Sequence, residues 1–255
     1  MSYPNDILDT RAVIKHGNYA IIPPTGLVNN VVPGIENYRV SIVASPKLGA
    51  SFVQYLVEAP PGSGPMSQPF AAEDGIESFV YCISGNGEVM VDGQSKPLVR
   101  DVYAYAPPGK GVSFANTGDE ALRLILYKQR YIPLSGHEPR AVFGNASTME
   151  YRIYDDMKNV LIKDLLPADL GFDMNFHILS FLPGGCHPFI ETHVQEHGAY
   201  ILSGEGVYYL GGEWRMIKKD DFVWFGPFTT QGAYGVGREP FTYVYSKDCN
   251  RDVRI

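Results

Sequence analysis

The feature that most constrains this chain is that it contains one turn-and-strand unit twice. Ser84-Gly85-Asn86-Gly87 and Ser203-Gly204-Glu205-Gly206 lie 119 residues apart in matching surroundings. Each follows an apolar run and precedes a second run that ends in Asp92-Gly93 or Gly211-Gly212. Further on, Asp101-Val102-Tyr103-Ala104-Tyr105-Ala106-Pro107 matches Asp221-Phe222-Val223-Trp224-Phe225-Gly226-Pro227, each an acidic turn, an alternating aromatic strand and a proline. Two copies of one β unit predict two lobes, residues 1–135 and 136–255, with Pro133 to Tyr154 as their connection. The first ~40 residues are expected to pack on the second lobe or on a neighbouring subunit.

The 27 glycines and 19 prolines punctuate short runs rich in Val, Ile, Tyr and Phe, which is the pattern of an all-β sandwich or barrel. Strands are predicted at Phe79 to Ile83, Glu88 to Val91, Tyr200 to Leu202, Val207 to Leu210 and Phe241 to Tyr245. Helical periodicity is weak; the one candidate is a short turn at Leu165 to Leu170, with Pro167 near its start.

A formal charge of -7 without any Lys/Arg run argues against nucleic acid or a membrane surface as partner and favours a small molecule. Cys82, Cys186 and Cys249 fit no Cys-x-x-Cys spacing and leave one thiol over in any pairing, which suits a reducing compartment. The polar N-terminus lacks the apolar core of a secretory signal, and no run reaches the ~18 apolar residues of a membrane span. A cytoplasmic protein is the expectation.

Three of the six histidines, His187, His193 and His197, fall within eleven residues, and Glu191 stands two before His193. On an extended strand alternate residues share a face, so Glu191, His193 and His197 are predicted to project together from one wall. Carboxylate plus imidazole, with no thiolate nearby, suits a catalytic Mn, Fe, Zn, Co or Ni site better than a structural zinc. His187, between Cys186 and Pro188, reads as a loop residue near the entrance and is left out of the set. Tyr243, Tyr245 and Lys247 lie at even spacing on a predicted strand and share a face. The equivalent place in the first lobe holds Lys128, so spacing alone does not make Lys247 catalytic.

Gly185, five residues, Glu191-Thr192-His193, three residues, His197, six residues and Gly204 resemble the first cupin motif, with a carboxylate and an imidazole exchanged at its ends. The second cupin motif supplies a further ligand after a proline, and Gln231, after Pro227, is the candidate. An amide oxygen in place of imidazole gives a harder site, more consistent with Mn or Mg than with Cu. The same pattern on the first lobe falls on Ala72, Asp74, Ser78 and Val112, a set that cannot hold a transition metal tightly. That lobe is predicted to be structural.

The run Glu191-Thr192-His193-Val194-Gln195-Glu196-His197, with Gln231 and Tyr245-Ser246-Lys247-Asp248 near the end, is similar to the (S)-ureidoglycine aminohydrolase family. The resemblance covers nearly the whole chain and extends to Lys15-His16-Gly17-Asn18-Tyr19 and Leu170-Gly171-Phe172-Asp173. It implies a bicupin, two tandem jelly-roll β-barrels, that uses Mn2+ to release ammonia from (S)-ureidoglycine and form (S)-ureidoglycolate in allantoin and purine catabolism. It places the metal on Glu191, His193, His197 and Gln231, substrate contacts on Glu191, Gln231, Tyr243, Lys247 and Tyr208, and catalysis on Glu191 and Lys247. A homo-oligomer, at least a dimer, is expected, since cupins exchange edge strands. Two rival readings stay open: an iron-dependent cupin dioxygenase, and a non-catalytic cupin that binds a small molecule.

Overall fold

A computed structural model of the chain describes residues 10–64 and 66–253. The fold is all-β, with two short 3-10 turns at Pro24–Gly26 and Ala146–Thr148. The first lobe is a six-stranded antiparallel sheet ordered Val142–Asn145, Val102–Ala106, Ile76–Ser84, Leu122–Arg130, Val53–Ala59, Arg39–Ala44. Against it stands a three-stranded sheet of Gln94–Val99, Asn86–Val91 and Ser113–Asn116. The second lobe repeats this plan on a larger scale. Its eight-stranded sheet runs Val13–Lys15, Tyr19–Ile22, Phe222–Phe225, His197–Ser203, Phe241–Asp248, Met174–Phe181, Met157–Asp164, Arg152–Tyr154, opposite Glu213–Lys218, Glu205–Leu210 and Gln231–Val236. Each lobe is thus a jelly-roll sandwich, two sheets facing each other around a core rather than one closed barrel.

The repeated Gly-x-Gly turns follow from sterics. Gly85 and Gly204 have φ of 92° and 70°, where a side chain is strained, and a Cβ on Gly85 would sit 2.7 Å from the Ala121 carbonyl oxygen. A Cβ on Gly206 would meet the Phe241 ring at 2.7 Å. Such turns let the strand leave the large sheet and enter the small one against the neighbouring backbone.

Period-two alternation sorts the strands onto two buried faces rather than one. In Leu122–Arg130, Leu124 and Leu126 fill the first lobe, whereas Ile125 and Tyr127 face the other lobe. In Phe241–Asp248, Tyr243 and Tyr245 fill the second lobe and Val244 faces out to the interface. The two large sheets therefore pack back to back through an aromatic layer in which Phe79 stacks on Phe176 at 3.9 Å and Tyr127 meets Phe176 edge-on at 5.1 Å. Sheets buried on both faces explain why Met174–Phe181 is buried at all eight positions.

Two local expectations differ from the structure. Leu165 to Leu170 is irregular rather than helical, because the Asn175 side chain takes the Leu166 N–H at 2.8 Å and donates to its carbonyl at 2.9 Å, satisfying that backbone without a helix. Strand pairing also crosses the division expected at residue 135. Tyr19–Ile22 pairs with Phe222–Phe225 of the second lobe, as expected of the first ~40 residues, and Val142–Asn145, within the expected connection, pairs with Val102–Ala106 of the first. The hairpin Val13–Lys15/Tyr19–Ile22 and the strand Val142–Asn145 thus each extend the other lobe's large sheet and cover an edge that would otherwise stand open.

Candidate metal centre

One cavity inside the second lobe gathers Glu191, His193, His197, Gln231, Tyr208, Tyr243, Tyr245 and Lys247. The route by which they meet is not the predicted flat strand. Glu191 lies in an isolated bridge with Gln231, sealed by reciprocal backbone hydrogen bonds of 2.9 Å, and residues 192–196 form an irregular loop before His197 opens its strand. His193 is carried on that loop, whose carbonyl at His193 accepts the Phe228 N–H at 2.8 Å.

Both imidazoles are fixed by backbone. His193 Nδ1 lies 2.9 Å from the Gln195 carbonyl oxygen and His197 Nδ1 lies 2.9 Å from that of Ser246. A carbonyl can only accept, so each Nδ1 carries the proton and each Nε2 keeps a lone pair. The rings stand 5.0 Å apart at 67°. Burial first, then the Lys247 charge for His193 and the neighbouring His193 ring for His197, pushes both pKa values below the usual histidine range, His197 furthest. Two neutral imidazoles with lone pairs inside a cavity are the donors a divalent metal requires.

Gln231, 2% exposed, bridges the set: its Oε1 accepts from Tyr208 at 3.0 Å, and its Nε2 donates to Glu191 and approaches His193 Nε2 at 3.4 Å. Among the described residues, no three His, Cys, Asp or Glu side chains close around a point as a preformed metal site. Glu191 is turned onto the Gln231 amide, whose N–H groups satisfy the carboxylate and the imidazole lone pair. The donor chemistry nevertheless fits a hard divalent ion: half a turn of the Gln231 amide exchanges Nε2 for Oε1, and the Tyr208 hydroxyl can then accept instead of donate.

Among the described residues Lys247 enters the cavity without a carboxylate in ion-pair contact, whereas its counterpart Lys128 pairs with Glu73 at 3.7 Å and lies 5.4 Å over the Phe70 ring. In the first lobe Val112 is fully buried, Ser78 is buried and Asp74 is exposed, so those positions present no cluster of ligands.

Sequence reasoning left out two polar residues that line the cavity. His187 is 5% exposed; its Nδ1 accepts the Ala233 N–H at 2.9 Å, which leaves Nε2–H as a donor 4.0 Å from Glu191. Its place in the histidine cluster was the available signal. Tyr154, from the edge strand Arg152–Tyr154, also faces the cavity, and nothing in its local sequence marks it.

The chain is 52% identical over 254 residues to the (S)-ureidoglycine aminohydrolase of Escherichia coli K12, covering 99% of this chain and 97% of that one. It belongs to the (S)-ureidoglycine aminohydrolase family. A probable (S)-ureidoglycine aminohydrolase of Oryza sativa is 31% identical over 96% of this chain and 77% of its own length. The crystal structure of the E. coli protein Ylba superposes with a TM-score of 0.88 at 49% identity, with full coverage of both chains. The general cupin domain model matches residues 55–127. That stretch is in the first lobe, away from the cavity, so in this aminohydrolase family member the general cupin pattern and the candidate site lie in different lobes.

Proposed function

We propose that this protein hydrolyses (S)-ureidoglycine to (S)-ureidoglycolate and ammonia, with Glu191, His193, His197 and Gln231 holding one divalent ion, Mn2+ by preference. The observation that carries this reading is the convergence of two neutral, backbone-anchored imidazoles, a carboxylate, an amide and an unpaired lysine in one cavity. A bound divalent ion would supply Lewis-acid charge stabilisation and lower the pKa of water in the site.

The chain's own groups then have distinct tasks. The Lys247 ammonium, which lines the cavity and makes no ion pair among the described residues, takes the substrate carboxylate in a charge-assisted contact. Glu191 accepts a proton from water and delivers it to the departing amine, so that one water enters and one ammonia leaves. Tyr208 and Tyr243, whose hydroxyls lie 3.4 Å apart, stay protonated because burial raises both pKa values, and so serve as hydrogen-bond donors to the ureido or carboxylate oxygens. The Glu191–Gln231 contact must open to admit a ligand.

Among the described residues no helix is long and apolar enough to cross a membrane. We place the enzyme in the cytoplasm, by its free cysteines, and as a homo-oligomer. The outer face of the small second-lobe sheet supports assembly: Trp214 and Met216 are about half exposed, at 52% and 51%, and Trp214 packs on Tyr209 and Tyr234.

The test is to incubate the Mn-loaded protein with freshly generated (S)-ureidoglycine and follow ammonia release against the spontaneous background, with the chirality of the product. Fast release with one enantiomer is expected. Background-rate release with racemic product would reopen the dioxygenase and binding readings.

A further inference from the structure

His177 and Asp164 form a buried dyad that the reaction as described does not use. His177 Nδ1 lies 2.7 Å from Asp164 Oδ1, and Asp164 is clamped from outside by Arg152, whose Nη2 lies 2.6 Å from Oδ2. With the carboxylate accepting from Nδ1–H, Nε2 carries a lone pair. That Nε2 is buried and has no hydrogen-bond partner among the described residues; His177 is only 9% exposed. A buried acceptor without a donor is costly and calls for an explanation.

The register shows what lies beside it. On the inward face of the large sheet Asp164 pairs with His177, His177 with Tyr245, and Asn175 with Lys247. Lys247 is therefore the diagonal neighbour of His177, a separation that long side chains span. Lys247 is the cavity cation without a carboxylate partner, and His177 is the neighbouring acceptor without a donor.

The first lobe supplies an internal control. There Val53 pairs with Lys128, Tyr55 takes the place of His177, and Ile42, paired with Tyr55, takes the place of Asp164. The lobe whose lysine is already tied to Glu73 has no dyad.

We propose that His177, held in its Nδ1–H form by Asp164, is the positioning residue for Lys247: its Nε2 accepts a hydrogen bond from the ammonium and aims the remaining N–H groups at the substrate carboxylate. The inference rests on the function proposed above for Lys247. It gives the Arg152–Asp164–His177 chain a purpose, which is to hold one imidazole tautomer. Asp164→Asn would undo it without removing a side chain, because the amide can donate to Nδ1 and leave Nε2–H pointing at a cation.

The experiment compares His177→Phe, Asp164→Asn, Lys247→Ala and the His177→Phe/Lys247→Ala double variant, with Mn content measured on each. Positioning predicts that both dyad variants raise KM about tenfold or more, with Mn stoichiometry retained and kcat changed less than KM. In the Lys247→Ala background His177→Phe should have no further effect. A wild-type KM in folded His177→Phe, or full additivity in the double variant, would overturn the assignment. Imidazole 15N NMR separates this idea from the proposed reaction: the His177 Nε2 resonance should be unprotonated and should shift in Lys247→Ala even if the wild-type protein releases no ammonia. An Nε2 signal that ignores Lys247→Ala refutes the contact whatever the substrate.

Discussion

The carboxylate of Glu196, which lies between His193 and His197 in sequence, is bound to Ser51 of the first lobe: Oε1 accepts the Ser51 N–H at 2.9 Å. Its Oε2 accepts the Trp224 indole N–H at 3.0 Å, and the Glu196 backbone N–H donates to Asp248 at 3.0 Å. The irregular loop 192–196 is thus fastened to both lobes, which gives the ligand-poor first lobe a physical part in the site.

Glu196→Ala leaves the buried Trp224 indole N–H unpaired, at about 1–3 kcal/mol, and frees the Ser51 N–H, which solvent can reach. A fall in Tm of several degrees is expected by thermal unfolding, together with faster loss of Mn to a chelator. If Tm falls but metal retention is unchanged, the loop does not depend on the inter-lobe clamp.

Gly198, immediately after His197, is a second place where the lobes touch. A Cβ there would collide with the Gln54 side-chain oxygen and approach the Phe52 ring at 2.8 Å. Gly198→Ala forces either the sheet or the aromatic layer to move, at about 1–3 kcal/mol. Denaturant midpoints should report it; an unchanged midpoint would mean that Gln54, whose amide has no hydrogen-bond partner, swings aside freely.

How much of this was legible beforehand follows from which signals are local. The Gly-x-Gly turns and the aromatic strands after Asp101 and Asp221 are local patterns, and their repetition made the two-lobed all-β plan readable. Glu191, His193 and His197 were found as a cluster, although a loop rather than a strand brings them together. The exchange of strands is half visible: the first ~40 residues are expected on the second lobe, where Tyr19–Ile22 indeed pairs with Phe222–Phe225, whereas no motif marks Val142–Asn145 for the first lobe's sheet. His177 was passed over for the same reason: its meaning lies in a diagonal register with Lys247 and a partner at Asp164.

Lys247→Ala and Glu191→Ala should separate the two halves of the proposed site. Lys247→Ala is expected to retain Mn and lose substrate binding, with KM rising by about ten- to a hundredfold, the range of one charge-assisted hydrogen bond. Glu191→Ala should lose metal and activity together. Wild-type kcat/KM in Lys247→Ala would remove the carboxylate-anchor role.

Glu77 offers a prediction in pH. It is fully buried between the lobes, with Oε2 accepting from Tyr105 at 2.5 Å and Oε1 from Gln129 at 2.6 Å, and Asp173 of the second lobe lies beside it. Burial first, then the Asp173 charge, raises its pKa well above the ordinary carboxylate value. A carboxyl raised in the folded state stabilises the fold fully below its unfolded value near 4.5, and that contribution is lost as pH rises through the folded value. Glu77→Gln keeps the shape and an acceptor for Tyr105, sets an NH2 in place of the oxygen that accepts from Gln129, and cannot ionise. Its Tm should therefore decline less than wild type as pH rises from acid to alkaline, so that the gap between the two proteins shifts in the variant's favour. Parallel Tm curves across that range would mean that Glu77 holds no raised pKa and that the inter-lobe layer carries no buried proton.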